Sequence, residues 1–309
     1  MARYLVSRVT QMLGALLGVL VLVFILARLV PNDPVLHMLQ QDYSQQQYDA
    51  MRKYLALDEP LYVQLLLYLG RLARGDLGDS LVSQMPVLDE IVRRLSATLI
   101  LGGAGMIIAL IIAIPVGILS AVKPYSTIDN AGMFGCLLGV SIPTFWEGIM
   151  LILLFSYFLD WVPAFGRGDP PDFLHLLLPA LTVGTHATAT TARLVRSCML
   201  EVISEDYIRT ARAKGMSEFT VINKHALRNA LTPVVTEIGL TLTRLMSGLT
   251  VVEVVFAWPG LGKLAYDAVV RSDYPMIQGV VLFVGVLFSS VNIVVDILCG
   301  ILDPRIRYR

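Results

Sequence analysis

Glu147, His186, Glu237, Arg244 and Glu253 are ionisable residues set inside long apolar stretches of this sequence, and Arg28 and Asp296 stand near the ends of two others. In a bilayer, an ionised side chain at mid-depth costs at least about 2.5–3.5 kcal/mol on insertion scales, so each needs a partner or a water-lined face. Arg28 and Asp296 can snorkel to the interface. Glu237 and Arg244 are seven residues apart, two turns along one helical face, aligned on a stripe but too distant for a direct i, i+4 pair. Two readings stand for Glu147, His186, Glu237 and Arg244: polar contacts between helices, or the lining of a translocation path. Glu253, near the outer end of its stretch, suits packing at an outer gate. Glu147 and His186 together suggest a metal ion, but two ligands on separate segments are weak grounds for a metal site.

Other chemistries lack their motifs. A phosphate-cradling loop needs GxxxxGK[ST]; the nearest approach, Ala257-Trp-Pro-Gly-Leu-Gly262-Lys263-Leu264, lacks the first Gly and the Ser or Thr. A strained nucleophile turn needs Gly-x-Ser-x-Gly, and Gly139-Val-Ser141-Ile-Pro143 fails at its last place. Cys136, Cys198 and Cys299 are an odd number without paired spacing, and His37, His175, His186 and His225 show no HxxxH or HExxH pattern. The sequence offers no catalytic residue, no disulfide framework and no metal centre.

The elements that carry these residues follow from composition. Of 309 residues, 56% are hydrophobic and 16% charged, against about 45–50% and about 25% in a soluble domain. That excludes an ordinary soluble enzyme and a nucleic-acid-binding chain. Val9–Ala27, Leu95–Val122, Phe173–Ala192 and Tyr274–Val295 are free of charge, Asn130–Leu159 is interrupted only by Glu147, and Asn229–Val255 only by Glu237, Arg244 and Glu253. A helix crosses the hydrocarbon core with about 20 residues. The pattern predicts an all-α integral membrane protein, one domain over 1–309, with six spans at about 9–30, 95–122, 130–158, 173–198, 229–256 and 275–300. The first run is too long for a signal-peptide core and no A-x-A site follows before Pro31, so it reads as a retained anchor. Residues 31–94 form an insertion with helix-like patches at Ser44–Leu57 and Pro60–Leu72, expected as a small helical cap outside the membrane.

Basic residues set the orientation. With the N-terminus inside, the inner segments 1–8, 123–129, 193–228 and 303–309 carry 13 Lys and Arg against 6 Asp and Glu. The outer segments carry 9 against 14, most of the basic ones in the long 31–94 loop, which translocates largely regardless of charge. Both termini are therefore expected in the cytoplasm, and 199–228 becomes the one substantial cytoplasmic loop. Within it Tyr207–Lys214 favours helix and stops at Gly215, suited to a left-handed C′ position. Ser217 can cap a second short helix with Phe219 and Ile222 on one side. An apolar knob with a basic flank suits docking on another protein.

This loop resembles the EAA loop of the transmembrane permease subunits of binding-protein-dependent ABC importers, E-A-A-x3-G-x9-I-x-L-P. Aligned on Gly215, Arg209, Thr210 and Ala211 fall at E-A-A, His225 at Ile, Leu227 at Leu and Arg228 at Pro. Ala211, Gly215 and Leu227 match the general form, and the local sequence DYIRTARAKG…HALRNALTP is similar to the dipeptide/oligopeptide/nickel branch. The start RYLVSRVTQMLG…VFILARLVPNDPV resembles that branch too, as do LALDEPLYVQ…GDLGDSL, SIPTFW, VVEVVFAWPGLGKL, DYPMIQ and DPRIRYR. The likeness spans essentially the whole chain.

The resemblance implies a type I importer permease fold with an extracytoplasmic insertion after the first helix, in the bacterial inner membrane. It implies a non-catalytic subunit that pairs with a second, related permease and two ATPase subunits. ATP and Mg are bound by those ATPases, and substrate, a small peptide or a nickel complex, arrives from a periplasmic or lipid-anchored binding protein. By the same carry-over Ala211, Gly215, Ser217, Glu218, Phe219, Ile222, His225 and Leu227 take the ATPase contact. Arg209 replaces the family's acidic pivot, so a salt bridge at that position does not carry over. A secondary transporter would instead show inverted repeats around a midplane site, and no such repeat is present; a purely structural subunit would not need the docking loop.

Overall fold

The computed structural model of the chain describes residues 2–29, 35, 44–54 and 56–302, the side chains of Arg244 and Asp296 lying outside the described set. The expected cap at 31–94 is thus described only in part, and the DPRIRYR ending lies outside the described residues. Among the described residues the regular structure is helical, apart from one isolated bridge between Asp79 and Pro86. The helices are α1 (Ala2–Leu29), α2 (Gln45–Tyr54), α3 (Leu61–Leu72), α4 (Val87–Val122), α5 (Thr127–Ser141) and α6 (Thr144–Leu151, continued by a π-helix over Ile152–Phe158). After these come α7 (Phe173–Ile203), α8 (Asp206–Ala213), α9 (Glu218–Thr220, continued by a π-helix over Val221–Ala226), α10 (Leu227–Val255), α11 (Leu261–Val270) and α12 (Tyr274–Leu302).

Three of these are clearly long and apolar enough to cross a bilayer, at Thr10–Leu29, Val87–Val122 and Tyr274–Val294. The expected single span at 130–158 is a broken pair: α5 and α6 meet at a 101° bend. Pro143 cannot continue a helix and forces Ile142 into extended backbone (φ −84°, ψ 129°), so the chain turns there. The span expected to begin at 95 starts at Val87, where Asp89 and Glu90 favour a helix N-terminus and Glu90 faces Arg94 one turn on. α7 is less apolar than the others because threonine, glycine and histidine dilute its leucines; it is long enough to span, and fourteen of its residues are buried against protein.

The chain divides into two compact units, 1–96 with 259–290 and 97–258 with 291–307. In the first, Phe24 of α1 stacks on Tyr68 of α3 with ring centroids 6.2 Å apart, and the Arg28 guanidinium lies 3.5 Å over Phe24 while donating to Gln64 Oε1 at 2.7 Å. Arg28, expected only to snorkel, therefore has protein partners within this unit. Asp273, buried just ahead of α12, accepts from Ser80 Oγ (2.5 Å), Leu81 N–H (3.1 Å) and Met276 N–H (3.2 Å). This clasp ties the end of the 31–94 segment to the start of the last helix.

In the second unit, α7 is the central element. It packs on the latter half of α4 with almost no side chain between: a Cβ on Gly105 would overlap Val183, one on Gly117 would lie 2.7 Å from Val195, and one on Gly184 would meet the Gly105 carbonyl at 2.9 Å. Helices in a bilayer gain little from hydrophobic exclusion, so close backbone approach supplies the dispersion that holds them together. On its other side Thr185 closes on Gly139 of α5. Arg196 grips the buried Asp129 through two bonds, Nε at 2.8 Å and Nη2 at 2.6 Å, tying α7 to the first turn of α5. Replacing Gly105 or Gly117 by Val is expected to destabilise by about 1–3 kcal/mol, the usual cost of overpacking, whereas Gly103→Ala, with open space around its Cβ position, should be neutral or mildly stabilising. Thermal unfolding midpoints of the purified variants in detergent check the contrast, and equal midpoints would overturn it.

Candidate functional site

Below the end of α7 the chain builds a small platform. Ser204 closes α7, α8 starts at Asp206, and Gly215 adopts φ +75°, the left-handed conformation that ends α8 and frees the chain to reverse. Ser217 then caps α9 by accepting from the Thr220 amide at 3.4 Å. These are the positions at which a cap and a glycine stop were expected. Across the Gly215 turn, Arg212 and Glu218 form a fork, with Nε 3.2 and 3.1 Å from the two carboxylate oxygens and Nη2 2.6 Å from Oε1. The guanidinium holds the Glu218 carboxyl below its usual range, so the pair persists as pH falls until that lowered value is reached. Asn229 Nδ2 donates to Tyr207 Oη at 2.7 Å, tying α8 to the first turn of α10.

The platform has a buried side and a bare side. Ile208 and Ala211 of α8, with Val221, Ile222 and Ala226, join Ala121, Val195, Cys198 and Met199 in one core, and Leu227 packs against it. Phe219 points the other way and is 77% exposed, beside exposed Met216. The expectation that Phe219 and Ile222 share one exposed face is therefore corrected: Ile222 is 9% exposed and belongs to the chain's own core. The π-helix is the reason. Over 221–226 the backbone bonds run i to i+5, which brings Val221, Ile222 and Ala226 onto one inward face and turns Ile222 away from Phe219. Ala211 is buried on the same side, while Gly215, Ser217 and Glu218 are exposed and His225 is half-buried.

The ionisable residues of the apolar stretches separate into distinct places. Glu147 on α6 and His186 on α7 are brought together, with Nε2 3.6 Å from Oε2. His186 Nε2 also lies 3.0 Å from Thr144 Oγ1 at the start of α6. Glu147 Oε2 is buried and makes no hydrogen bond. The cluster sits next to the 101° break, and irregular backbone at membrane depth is tolerated only inside protein or beside a water-filled cavity. Glu237 lies on α10 with Thr241 Oγ1 at 3.3 Å, its stripe-mate Arg244 being outside the described side chains. Glu253 is fully buried, accepting from Thr98 Oγ1 at 2.7 Å, and Trp258 Nε1 donates to the Ala97 carbonyl at 2.9 Å, so the end of α10 is bonded to α4. No group of three or more His, Cys, Asp or Glu side chains suited to a metal occurs among the described residues.

Three contacts escaped the sequence reading. Arg212 and Glu218 flank Gly215 six residues apart, and opposite charges around a turn are a local signal for such a fork. Asp273 directly precedes a helix, the position of an N-cap. The Arg196–Asp129 pair joins residues 67 apart and leaves no local trace.

Residues 113–308 match the family described as binding-protein-dependent transport system inner membrane component, and residues 1–102 match its N-terminal counterpart. The chain is 40% identical to the dipeptide transport system permease protein DppB of Escherichia coli K12 and 42% identical to the oligopeptide transport system permease protein AppB of Bacillus subtilis, in each case over all of both chains. An inward-facing structure of the MetNI methionine ABC transporter superposes on 70% of this chain and 97% of its own with TM-score 0.58 at 21% identity, a likeness of fold.

The two faces of the platform predict opposite responses. Ile222→Ala should destabilise by about 2–5 kcal/mol, as for other buried isoleucines, and Phe219→Asp should leave the unfolding midpoint of the purified chain unchanged. An equal loss in both would overturn the assignment of faces.

Proposed function

The chain belongs to the family of binding-protein-dependent transport system inner membrane components, and from that premise we propose how its geometry serves import. It is a multi-pass inner-membrane permease of an ABC importer, non-catalytic itself and served by ATP-hydrolysing and substrate-binding partners. In our reading it has six spans, α1, α4, the broken α5–α6 pair, α7, α10 and α12, with both termini cytoplasmic and the 31–94 insertion outside. It pairs with a second, related permease and carries small peptides. DppB and AppB are named as dipeptide and oligopeptide permeases, and the Glu147–His186 pair lacks a third metal-capable neighbour among the described residues, which favours peptide over a directly ligated nickel ion.

The observation that carries the coupling mechanism is the bare Phe219 on the capped α9. Gly215, Ser217 and the Arg212–Glu218 fork fix the position of that knob, and the core behind it joins the platform to α7 and α10. Seated in a groove of an ATPase, Phe219 would pass nucleotide-driven movement into both long helices. Ala211, Ile222 and Leu227 take part from behind, as the packing that supports the knob, with His225 at the margin. Glu147, His186, Glu237 and Arg244 line the substrate path in this reading, and Glu253 holds the outer closure through Thr98.

Phe219→Asp and Gly215→Pro are expected to weaken ATPase docking about 30-fold, the loss of one aromatic anchor worth about 2 kcal/mol, and to abolish uptake while a cysteine at position 169 still labels from outside. Normal docking in both variants would remove the coupling assignment, and labelling only from inside would reverse the orientation. For the path, Glu147→Gln and Glu237→Gln should change uptake per assembled complex. A lower yield with unchanged normalised uptake would make them structural contacts only.

A further inference from the structure

Between α5 and α7 lies an open cleft of about 450 Å³ whose walls are Met133, Phe134 and Leu137 on one side and Arg193 and Arg196 on the other. Arg196 is committed to Asp129. Arg193 is not: its Nε donates to the Ala189 carbonyl at 3.3 Å, and its two Nη groups make no hydrogen bond among the described residues. Asp129, the acid in this corner, is already held by Arg196. Phe134 and Leu137 are exposed, so the cleft opens sideways with an apolar floor.

Resting on the six-span reading above, two features place Arg193 near a bilayer surface. α7 begins at Phe173, capped by Asp172, and a helix of about 20 residues at 1.5 Å per residue crosses the hydrocarbon core, which ends near residue 193. From the other element, the connection between α4 and α5 over 123–126 leaves the bilayer, and the Asp129–Arg196 pair lies one turn into α5, with Arg193 one turn beyond. That connection presents exposed Lys123 and Tyr125, the latter 88% exposed, and a tyrosine is at home at headgroup depth. A guanidinium with two free donor edges at that depth, next to an apolar cleft, matches a phosphate above and an acyl chain alongside.

We propose that the cleft lined by Arg193, Phe134 and Leu137 is a binding site for one anionic phospholipid of the surrounding leaflet, its phosphate held by Arg193 and its acyl chain laid along α5. Binding there fills the gap between the broken pair and α7 at the end where α7 enters the platform.

The test uses the complete transport complex, stripped of lipid and titrated with dioleoyl phosphatidylglycerol or dioleoyl phosphatidylcholine, with bound lipid counted by native mass spectrometry. The wild-type complex should retain phosphatidylglycerol in preference to phosphatidylcholine. Arg193→Gln should weaken the tightest phosphatidylglycerol about five-fold, the equivalent of one basic residue at an anionic surface. Arg193→Lys should keep most of the affinity, and Arg209→Gln, which removes the same charge from the exposed loop, should change nothing. A photoreactive residue at position 134 should cross-link to lipid. Equal retention in wild type and Arg193→Gln, equal losses in Arg193→Gln and Arg209→Gln, displacement of the lipid by millimolar inorganic phosphate, or cross-linking of position 134 to a second permease subunit would each overturn the site.

Discussion

The backbone contact between α4 and α7 is the constraint from which the second unit is built. Gly105, Gly117 and Gly184 let two helices approach until carbonyl oxygens and valine side chains occupy the space where Cβ atoms would be. Inside a membrane a larger gap could not be made good by excluding water, since lipid tails are as apolar as the side chains they would touch. With α7 seated, the rest is positioned from it. His186 meets Glu147 across α6, Arg196 reaches Asp129 on α5, and the C-terminal turns of α7 supply Val195, Cys198 and Met199 to the core behind the platform.

Among the described residues the fully buried carboxylates, Asp129, Glu253 and Asp273, lie at junctions between elements. Asp273 joins the turn after α3 to α12, Asp129 joins α5 to α7, and Glu253 joins α10 to α4. Each carboxylate accepts from groups on a different element, so removing one partner would leave a buried oxygen unsatisfied, a loss larger than the net worth of the bond. The cluster of Thr144, Glu147 and His186 departs from this pattern because one carboxylate oxygen has no donor. That is why it stands out as a place for something other than internal bracing.

Much of this was legible in the sequence. Charge-free runs located α1, α4 and α12, and glycine and serine chemistry located the stop after α8 and the cap of α9, because each depends on residues within a few positions. The 101° break was not foreseen although Pro143 was visible, since the apolar run continues through it and hydropathy carries no direction. The inward turn of Ile222 depends on a π-helix, which changes which residues share a face without any change in residue type. Arg193 read simply as one of several inner basic residues; its exposure beside Phe134 depends on how α5 and α7 pack.

Three buried threonines of α7 have a mechanical consequence. Thr182, Thr188 and Thr191 each donate to the carbonyl four residues earlier, at 2.9, 2.8 and 3.0 Å, and so satisfy their hydroxyls within their own helix. A helix held by hydrogen bonds to its neighbours has to break them in order to turn, and in hydrocarbon a stranded donor is expensive. α7 carries polar groups through the core of its unit on these three hydroxyls without that penalty. At those three positions its turning against the surrounding helices meets steric resistance only, like a smooth shaft in a close-fitting bearing.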